Sequence, residues 1–321
     1  MFGRVFAAFI LSVLLAAPAA AQDYPTKPIR IIVAFGPGGG SDIVGRILGQ
    51  AMSEKLGQPV VIENKPGAAG TIGNEFVARA EKDGYTLGIM TAGQIIAATI
   101  NKSIRYDTLT AFDPVAMVAS GSFLIVARPD FPANSVNELV AAAKAEPGKI
   151  VFASPGFGAT QHFAAELFKL SAGVNMLHVP FRTSPEALTA LLGKQVDVLF
   201  DTVPALIGQV QSGSLKVLAV TGKDRFPAVP DVPTAIESGV LPDYNVTSWY
   251  GVFGPAGMPP AVVAKLNRTL NEIIADKAVA ENLTKAGVVV QGSTPEAFGK
   301  FMADEFARWN KVREAAGIER Q

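Results

Sequence analysis

Short apolar runs alternate with amphipathic segments along most of this chain, and this alternation constrains the fold more than any other feature of the sequence. Residues 29–35 and 60–63 are apolar runs typical of buried strands, and between them residues 43–56 repeat apolar side chains at helical spacing. The same order of strand and helix continues along the chain. Strands that alternate with helices form parallel sheets. We therefore expect an α/β fold.

The length of the chain predicts two lobes. At roughly 150 residues per domain, 321 residues suit two domains. We expect residues 22–122 and 223–321 to form lobe I, and residues 123–222 to form lobe II. The chain then crosses between the lobes near Ser122 and again near Thr221. Two crossings favour a hinge over a single flexible linker.

Residues 1–21 have the pattern of a secretory signal peptide. Arg4 supplies the positive charge, residues 5–17 are apolar except for one Ser, and residues 19–21 are the small residues that precede cleavage. The run is shorter than the roughly 20 residues that span a bilayer. The chain has no Cys that could carry a lipid anchor. We expect a soluble exported protein, located in the periplasm if the host is Gram-negative; a buried N-terminal helix is the alternative.

The composition excludes several classes of function. The 28 Lys and Arg residues equal the 28 Asp and Glu residues, whereas nucleic-acid binders carry a basic excess. With no Cys and two His, metal centres, iron–sulfur clusters and Cys nucleophiles are not expected. His162 and His178 are the only possible histidine bases, and no Gly-x-Ser-x-Gly elbow occurs. We expect no catalysis, no cofactor and no metal.

Three glycine-containing loops follow predicted strands and precede predicted helices. They cover residues 36–42, 67–71 and 154–160. Such loops expose the free N–H groups and the positive dipole end of the next helix, and glycine lets a bound group approach the backbone. Together they predict an anion site across a cleft. The alternative is that each loop only provides a tight helix entry.

The first loop also approaches a dinucleotide-binding fingerprint. Gly36-x-Gly38-x-x-Ser41 follows the first strand, and Glu63 ends the second strand where a ribose-binding acid would lie. The third position is Ser instead of Gly or Ala, and Pro37 stiffens the turn. A Rossmann-like oxidoreductase is therefore kept only as an alternative.

Motifs along nearly all of the mature chain resemble one known family, the extracytoplasmic solute receptors of tripartite tricarboxylate transporters, or TctC/Bug family. The first-lobe motifs are Gly36-Pro37-Gly38-Gly39-Gly40-Ser41-Asp42, Glu63-Asn64-Lys65-Pro66-Gly67-Ala68-Ala69-Gly70 and Asp83-Gly84-Tyr85-Thr86-Leu87. Further motifs are His178-Val179-Pro180, Gly193-Lys194-Gln195-Val196-Asp197, Pro230-Asp231-Val232-Pro233-Thr234 and Ser248-Trp249-Tyr250-Gly251. Each motif is weak alone, but their shared order is specific.

The resemblance implies a periplasmic-binding-protein fold of type II, a Venus flytrap whose two α/β lobes close on one small organic carboxylate. It also implies a monomer that delivers its ligand to a membrane permease; a solute sensor without a transport role is the alternative. Carried over residue by residue, the ligand contacts in lobe I are Phe35, Gly36, Gly39, Ser41, Ala69 and Thr91. Those in lobe II are Ser154, Gly158, Ala159, Thr160 and Asp201, and Arg182 is a further candidate where the sequence departs from the family.

Two of these residues have open roles. Arg182 stands in Val179-Pro180-Phe181-Arg182-Thr183, where the family often has Val-Pro-Tyr-Lys-Gly. It could pair with a second carboxylate of a diacid or be a solvated surface residue. Asp201 is expected at a loop edge after its strand, where it would suit a ligand ammonium or cap the next helix.

Overall fold

The computed structural model of the protein describes residues 24–315 and 319–320, so the signal peptide predicted for residues 1–21 lies outside the described residues. Ten strands and ten α-helices lie within residues 24–315. The strands are β1 (Ile29–Val33), β2 (Val60–Asn64), β3 (Thr86–Met90), β4 (Phe112–Ala127), β5 (Val151–Ser154), β6 (Leu177–Pro180), β7 (Val198–Thr202), β8 (Lys216–Val220), β9 (Thr247–Pro255) and β10 (Val289–Val290). The helices are α1 (Gly40–Leu56), α2 (Thr71–Ala78), α3 (Ala92–Ile100), α4 (Val136–Ala145), α5 (Thr160–Ala172), α6 (Ser184–Leu192), α7 (Val203–Gln211), α8 (Pro260–Ala275), α9 (Lys277–Lys285) and α10 (Pro295–Ala315). Within this part of the chain, no helix has both the length and the apolar composition that a membrane crossing requires.

The first set of strands has the order β2-β1-β3-β9-β4. Strand β1 is parallel to β2 and β3, with Ile31 opposite Ile62 and Leu87. Strand β9 is antiparallel to both β3 and β4. Val44 and Leu48 of α1 belong to the same buried core as Ile31. Because helices cover the sheet, its central strands read as continuous apolar runs instead of alternating ones. The predicted α/β fold is confirmed.

Strand β4 continues into a second set with the order β4-β7-β5-β6, and β8 also pairs with β4. Residues 112–122 of β4 pair with β9, whereas residues 123–127 pair with β7 and β8. One strand therefore runs from residue 112 to residue 127, although the sequence has no clear strand pattern over its first half. Pro114 and Gly121 interrupt the apolar run, and two irregularities in the pairing with β9 further obscure the strand pattern.

The chain returns beside β4 at Thr221. Thr221 N donates a hydrogen bond to Phe123 O (3.0 Å), and Thr221 Oγ1 donates one to Val246 O (2.6 Å). Gly222 N donates to Ser122 Oγ at 3.0 Å. The two segments that connect the strand sets therefore hydrogen-bond to each other. The division into lobe I and lobe II at these positions stays a prediction.

The sequence pattern does not reveal helix α3. Residues 92–99 of this helix are all buried and uncharged, so it lacks the charged, solvent-exposed face of a typical surface helix. Its start is nevertheless well defined, because Thr91 and Gln94 form a reciprocal capping box. An apolar, capped helix therefore lies directly after β3.

Two helices begin before the serine that is typical of a helix cap. Ser41 and Ser184 have the residue type favoured at caps, but helix α1 is capped by Gly39 and helix α6 by Thr183. The side chain of Thr183 accepts a hydrogen bond from Glu186 N at 3.3 Å, which satisfies one free N–H of the first turn. Both helices consequently begin one or two residues earlier than these serines would place them, closer to the ends of their strands.

Candidate ligand-binding site

A cavity lies where the two sets of strands meet. Its walls are the segments that follow β1, β3, β5 and β6, together with the end of β7 and residues 248–250 of β9. The cavity has a volume of about 50 Å³. Since a cavity needs a volume of about 10–15 Å³ to hold one water molecule, this cavity has room for a small molecule. Seven of the predicted ligand-binding residues line it, namely Phe35, Gly36, Gly39, Ser41, Thr91, Thr160 and Arg182.

Helix starts converge on this cavity. Among the described residues, its lining includes the cap or first turn of α1, α3, α5, α6 and α7, represented by Gly40, Thr91, Thr160, Thr183 and Thr202. The caps of α1, α5 and α7 make no side-chain cap hydrogen bond. The first N–H groups of a helix lack intrahelical acceptors and carry the positive end of its dipole. The cavity is therefore suited to a negatively charged group.

The carboxylate of Asp42 organises the first glycine loop. It accepts hydrogen bonds from Gly38 N (3.0 Å), from Asn64 Nδ2 (2.9 Å) and from two nitrogens of Arg46 (3.0 and 2.9 Å). Burial raises the pKa of Asp42, but the hydrogen bonds from Arg46, Gly38 and Asn64 outweigh it and hold the pKa below its usual range. Asn64 also donates to Phe35 O at 3.1 Å. The loop is thus held rigidly at the start of α1.

The second glycine loop meets the third one beside the cavity. Ala69 has a left-handed backbone (φ 54) in a short 3₁₀ turn before α2. A Cβ atom added to Gly158 would lie 3.3 Å from Ala69 Cβ, so these two residues pack against each other. Neither residue belongs to the cavity lining. Direct ligand contacts by Ala69 and Gly158 stay a prediction.

Two stacked histidines support the third glycine loop. The rings of His162 and His178 lie 4.1 Å apart. His162 Nδ1 accepts a hydrogen bond from Gly158 N (3.2 Å), and His178 Nε2 lies 2.7 Å from Ser154 Oγ. Burial, with a smaller contribution from Lys169, lowers the pKa of His162 to about 4. Both histidines are thus neutral at pH 7, and they hold the loop without lining the cavity.

Ser154 and Ala159 do not belong to the cavity lining. Ser154 is fully buried and donates to Gly156 O at 3.1 Å, while Ala159 caps α5. Their contacts stabilise the third loop from within. Direct ligand contacts by these two residues also stay a prediction.

Asp201 does not occupy the loop edge expected for it. It lies inside β7, opposite Leu124 of β4, and its side chain is fully buried. Nor does it cap the following helix, since Thr202 does so. Asp201 Oδ1 accepts a hydrogen bond from Gln161 Nε2 at 3.0 Å, and Gln161 lines the cavity. Burial raises the pKa of Asp201. Asp201 is therefore connected to the cavity by its hydrogen bond with the Gln161 side chain.

The cavity contains residues that the sequence analysis did not assign to the site. They are Gln161, Thr183, Ser184, Thr202, Ser248, Trp249 and Tyr250. Three of them belong to the Ser248-Trp249-Tyr250-Gly251 motif, which contributes to the family resemblance but contains no predicted site residue. This motif lies on β9, inserted between β3 and β4. Only the strand order brings it to the glycine loops.

The walls of the cavity are in close contact at its rim. A Cβ atom added to Gly36 would lie 2.5 Å from Thr183 Cγ2, and one added to Gly38 would lie 2.9 Å from Pro185 Cγ. These glycines belong to the first strand set, and Thr183 and Pro185 belong to the second. The absence of side chains at Gly36 and Gly38 is what allows the two sides to approach so closely.

Comparison with known proteins identifies the family. The model of the tripartite tricarboxylate transporter family receptor (TctC) matches residues 44–318. Protein BugT of Bordetella pertussis is 36% identical over 317 residues, which cover 98% of this chain and 97% of that protein.

Solved structures extend the similarity to the fold. The periplasmic binding protein BugD is 38% identical, with a TM-score of 0.88 over 93% of this chain and 100% of that chain. Rpa4515 of R. palustris, solved with adipate, is 32% identical, with a TM-score of 0.89 over 92% and 99%. MatC (Rpa3494) of Rhodopseudomonas palustris, with bound malate, is 32% identical, with a TM-score of 0.85 over 90% and 99%.

These similarities confirm the predicted class of fold, that of the periplasmic binding proteins. They also identify a family of solute receptors and not of enzymes, so the oxidoreductase alternative is set aside. Because the family model covers most of its length and BugT matches it nearly end to end, the chain belongs to the tripartite tricarboxylate transporter receptor family, the TctC/Bug family.

Proposed function

We propose that this protein is a periplasmic receptor that binds a small organic carboxylate in the cavity and delivers it to the permease of a tripartite tricarboxylate transporter. The observation that carries the proposal is the convergence of five helix starts on one cavity. Each helix start is equivalent to roughly half a positive charge. Backbone N–H groups can therefore bind a carboxylate without a dedicated cationic side chain.

The charges around the cavity agree with this chemistry. Among the described lining residues, Arg182 alone carries a charged side chain, and it is exposed at the rim. Glu186 Oε2 accepts a hydrogen bond from the backbone N of Arg182 at 3.1 Å, and the Arg182 guanidinium forms no ion pair within the described residues, so it can meet a second carboxylate. The adipate and malate in the two R. palustris relatives are both dicarboxylates. A dicarboxylate with one end at the helix starts and the other near Arg182 is the ligand that we favour.

Ligand binding would couple to closure of the two strand sets. A ligand that touches both walls stabilises the arrangement in which they meet, and the closed surface is the form presented to the permease. The predicted signal peptide at residues 1–21 supports export, and we propose that the receptor acts as a monomer.

The binding step is tested by thermal unfolding in the presence of mono- and dicarboxylates, including adipate and L-malate. A true ligand at 100 times its dissociation constant should add about 2.7 kcal/mol of stability and raise the melting temperature. Isothermal titration calorimetry should then give a one-to-one complex. If no acid in the panel raises the melting temperature or produces heat, the proposed function is wrong.

The location of the site is tested with Gly36→Val. The added side chain would meet Thr183, so we expect the variant to lose at least tenfold in affinity while its unfolding by urea stays close to that of the parent protein. Gly208→Ala is the matched control, because no atom lies within 4 Å of a Cβ atom at this position in α7. Parental affinity in Gly36→Val would move the site elsewhere.

Delivery is tested separately from binding. Cells that lack the receptor should take up a radiolabelled ligand more slowly, and the parent gene should restore uptake where the Gly36→Val gene does not. Normal uptake without the receptor, together with intact binding in vitro, would favour the solute sensor.

A further inference from the structure

Three hydroxyl oxygens at one end of the cavity lack hydrogen-bond partners. They belong to Thr202 at the end of β7 and to Ser248 and Tyr250 of β9. The side chains are 5%, 5% and 1% exposed, and none of the three oxygens has a partner in the part of the chain that the structure describes. All three residues line the cavity. They come from both strand sets, so the cluster exists only where the two sets meet.

The Tyr250 and Thr202 oxygens lie close to the start of α1, and Ser248, two residues before Tyr250 on β9, faces the same side of that strand. A Cβ atom added to Gly40 would contact Tyr250 Oη and lie 2.8 Å from Thr202 Oγ1. Burial raises the pKa of Tyr250 well above its usual range. Tyr250 is therefore a neutral phenol at physiological pH. Each of the three hydroxyls can both donate and accept a hydrogen bond.

A buried hydroxyl without a partner destabilises the folded state, because it has lost its hydrogen bonds to water and gained none in return. Most buried polar groups in proteins are satisfied, so three such groups in one cavity call for a specific partner. The packing of the core does not need the hydroxyls, since Phe and Val have nearly the same shape as Tyr250 and Thr202 without the polar oxygen.

The surroundings favour a neutral partner over a second anion. Asp201 is adjacent to Thr202, and its carboxyl oxygen Oδ2 is buried without a hydrogen-bond partner among the described residues. A carboxylate next to the three hydroxyls would face this carboxyl group, and the charged lining residue Arg182 lies at the exposed rim instead. A hydroxyl substituent matches the hydroxyl cluster in both donor and acceptor capacity.

We propose that Thr202, Ser248 and Tyr250 form a specificity-determining subsite that binds a hydroxyl substituent of the ligand, so that the receptor prefers hydroxycarboxylates to the same acids without the hydroxyl. This proposal rests on the proposed function, because it concerns the same cavity. It adds the chemical class of the ligand and the residues that select it.

The test compares acids that differ by one hydroxyl: malate and succinate, 2-hydroxyadipate and adipate, lactate and propionate, each hydroxy acid as both enantiomers. In at least one pair, calorimetry should give a dissociation constant at least tenfold lower for one enantiomer of the hydroxy acid. Aspartate is the amino counterpart of malate and should bind more weakly than malate. If the unsubstituted acids bind as well as the hydroxy acids, or aspartate binds more tightly than malate, the subsite proposal fails while the proposed function stands. If no acid binds, both fail.

Tyr250→Phe isolates the contribution of the subsite. We expect this variant to bind the preferred hydroxy acid about tenfold more weakly and the unsubstituted acid as before, while the melting temperature of the free protein stays equal or rises. Tyr106→Phe is the matched control, because Tyr106 Oη is also buried without a partner in the described chain but lies outside the cavity lining. It should leave both affinities unchanged. Unchanged selectivity in Tyr250→Phe, Thr202→Val and Ser248→Ala would overturn the proposal.

Discussion

Acidification should destabilise this protein through the two stacked histidines that hold the third glycine loop. Burial is the main cause that lowers the pKa of both His162 and His178 to about 4 from 6.5. The positive charge of Lys169 also lowers both values, while Glu166, 3.7 Å from His162 Nε2, opposes the shift at His178. As the pH falls below 6.5, the unfolded chain binds protons that the folded protein does not yet accept. Stability is therefore complete above pH 6.5 and is lost as the pH falls towards 4.

The size of the effect follows from the two pKa values. For one histidine with a pKa of about 4 when folded and 6.5 when unfolded, the loss between pH 7 and pH 5 is about 2 kcal/mol. Because the rings lie 4.1 Å apart, a charge on one opposes a charge on the other, and their protonation is coupled. The pair should therefore contribute roughly 2–4 kcal/mol over this range. Protonation of His162 would also remove the acceptor for Gly158 N and loosen the loop.

Urea unfolding at pH 7, 6 and 5 measures this loss of stability. The reference is the double variant His162→Gln/His178→Gln, in which neither position can bind a proton. Asp42, with a pKa below its usual range, titrates outside this window, whereas the raised pKa of Asp201 opposes the loss in both proteins. The parent protein should lose about 2–4 kcal/mol more than the double variant between pH 7 and pH 5. Equal slopes of stability against pH in the two proteins would refute the reasoning.

Two further predictions concern the packing of β9. Gly251→Ala should destabilise the fold by about 1–3 kcal/mol, because the added methyl group would overlap the ring of Phe298; an unchanged urea midpoint would contradict this contact. Glu305→Ala should cost about 2–4 kcal/mol, because Glu305 Oε2 accepts hydrogen bonds from the buried indole nitrogens of Trp249 and Trp309, both at 3.1 Å. Glu305→Gln keeps the side-chain volume and one acceptor oxygen and should cost less, whereas equal losses in both Glu305 variants would assign the effect to the lost carboxylate charge.

Local patterns in the sequence predict many of the strands, helices and loops of this protein. The strand–helix alternation and the glycine loops are short-range features, because the period of apolar side chains and the chemistry of turns depend on neighbouring residues. Helix α3 lacks the charged face of a surface helix because residues 92–99 are all buried, and strand β4 is interrupted by Pro114 and Gly121, so the local pattern reveals neither element.

The cavity itself depends on the order of strands in space. Local patterns predict the α/β class and the helix entries, and the order of the motifs indicates the family. Long-range strand pairing is what places Ser248 and Tyr250 on β9 beside Thr202 at the end of β7, because β9 is inserted antiparallel between β3 and β4. Such pairing also buries Asp201 in a strand, since pairing with β4 and contact with Gln161 are long-range interactions that neighbouring residues do not encode.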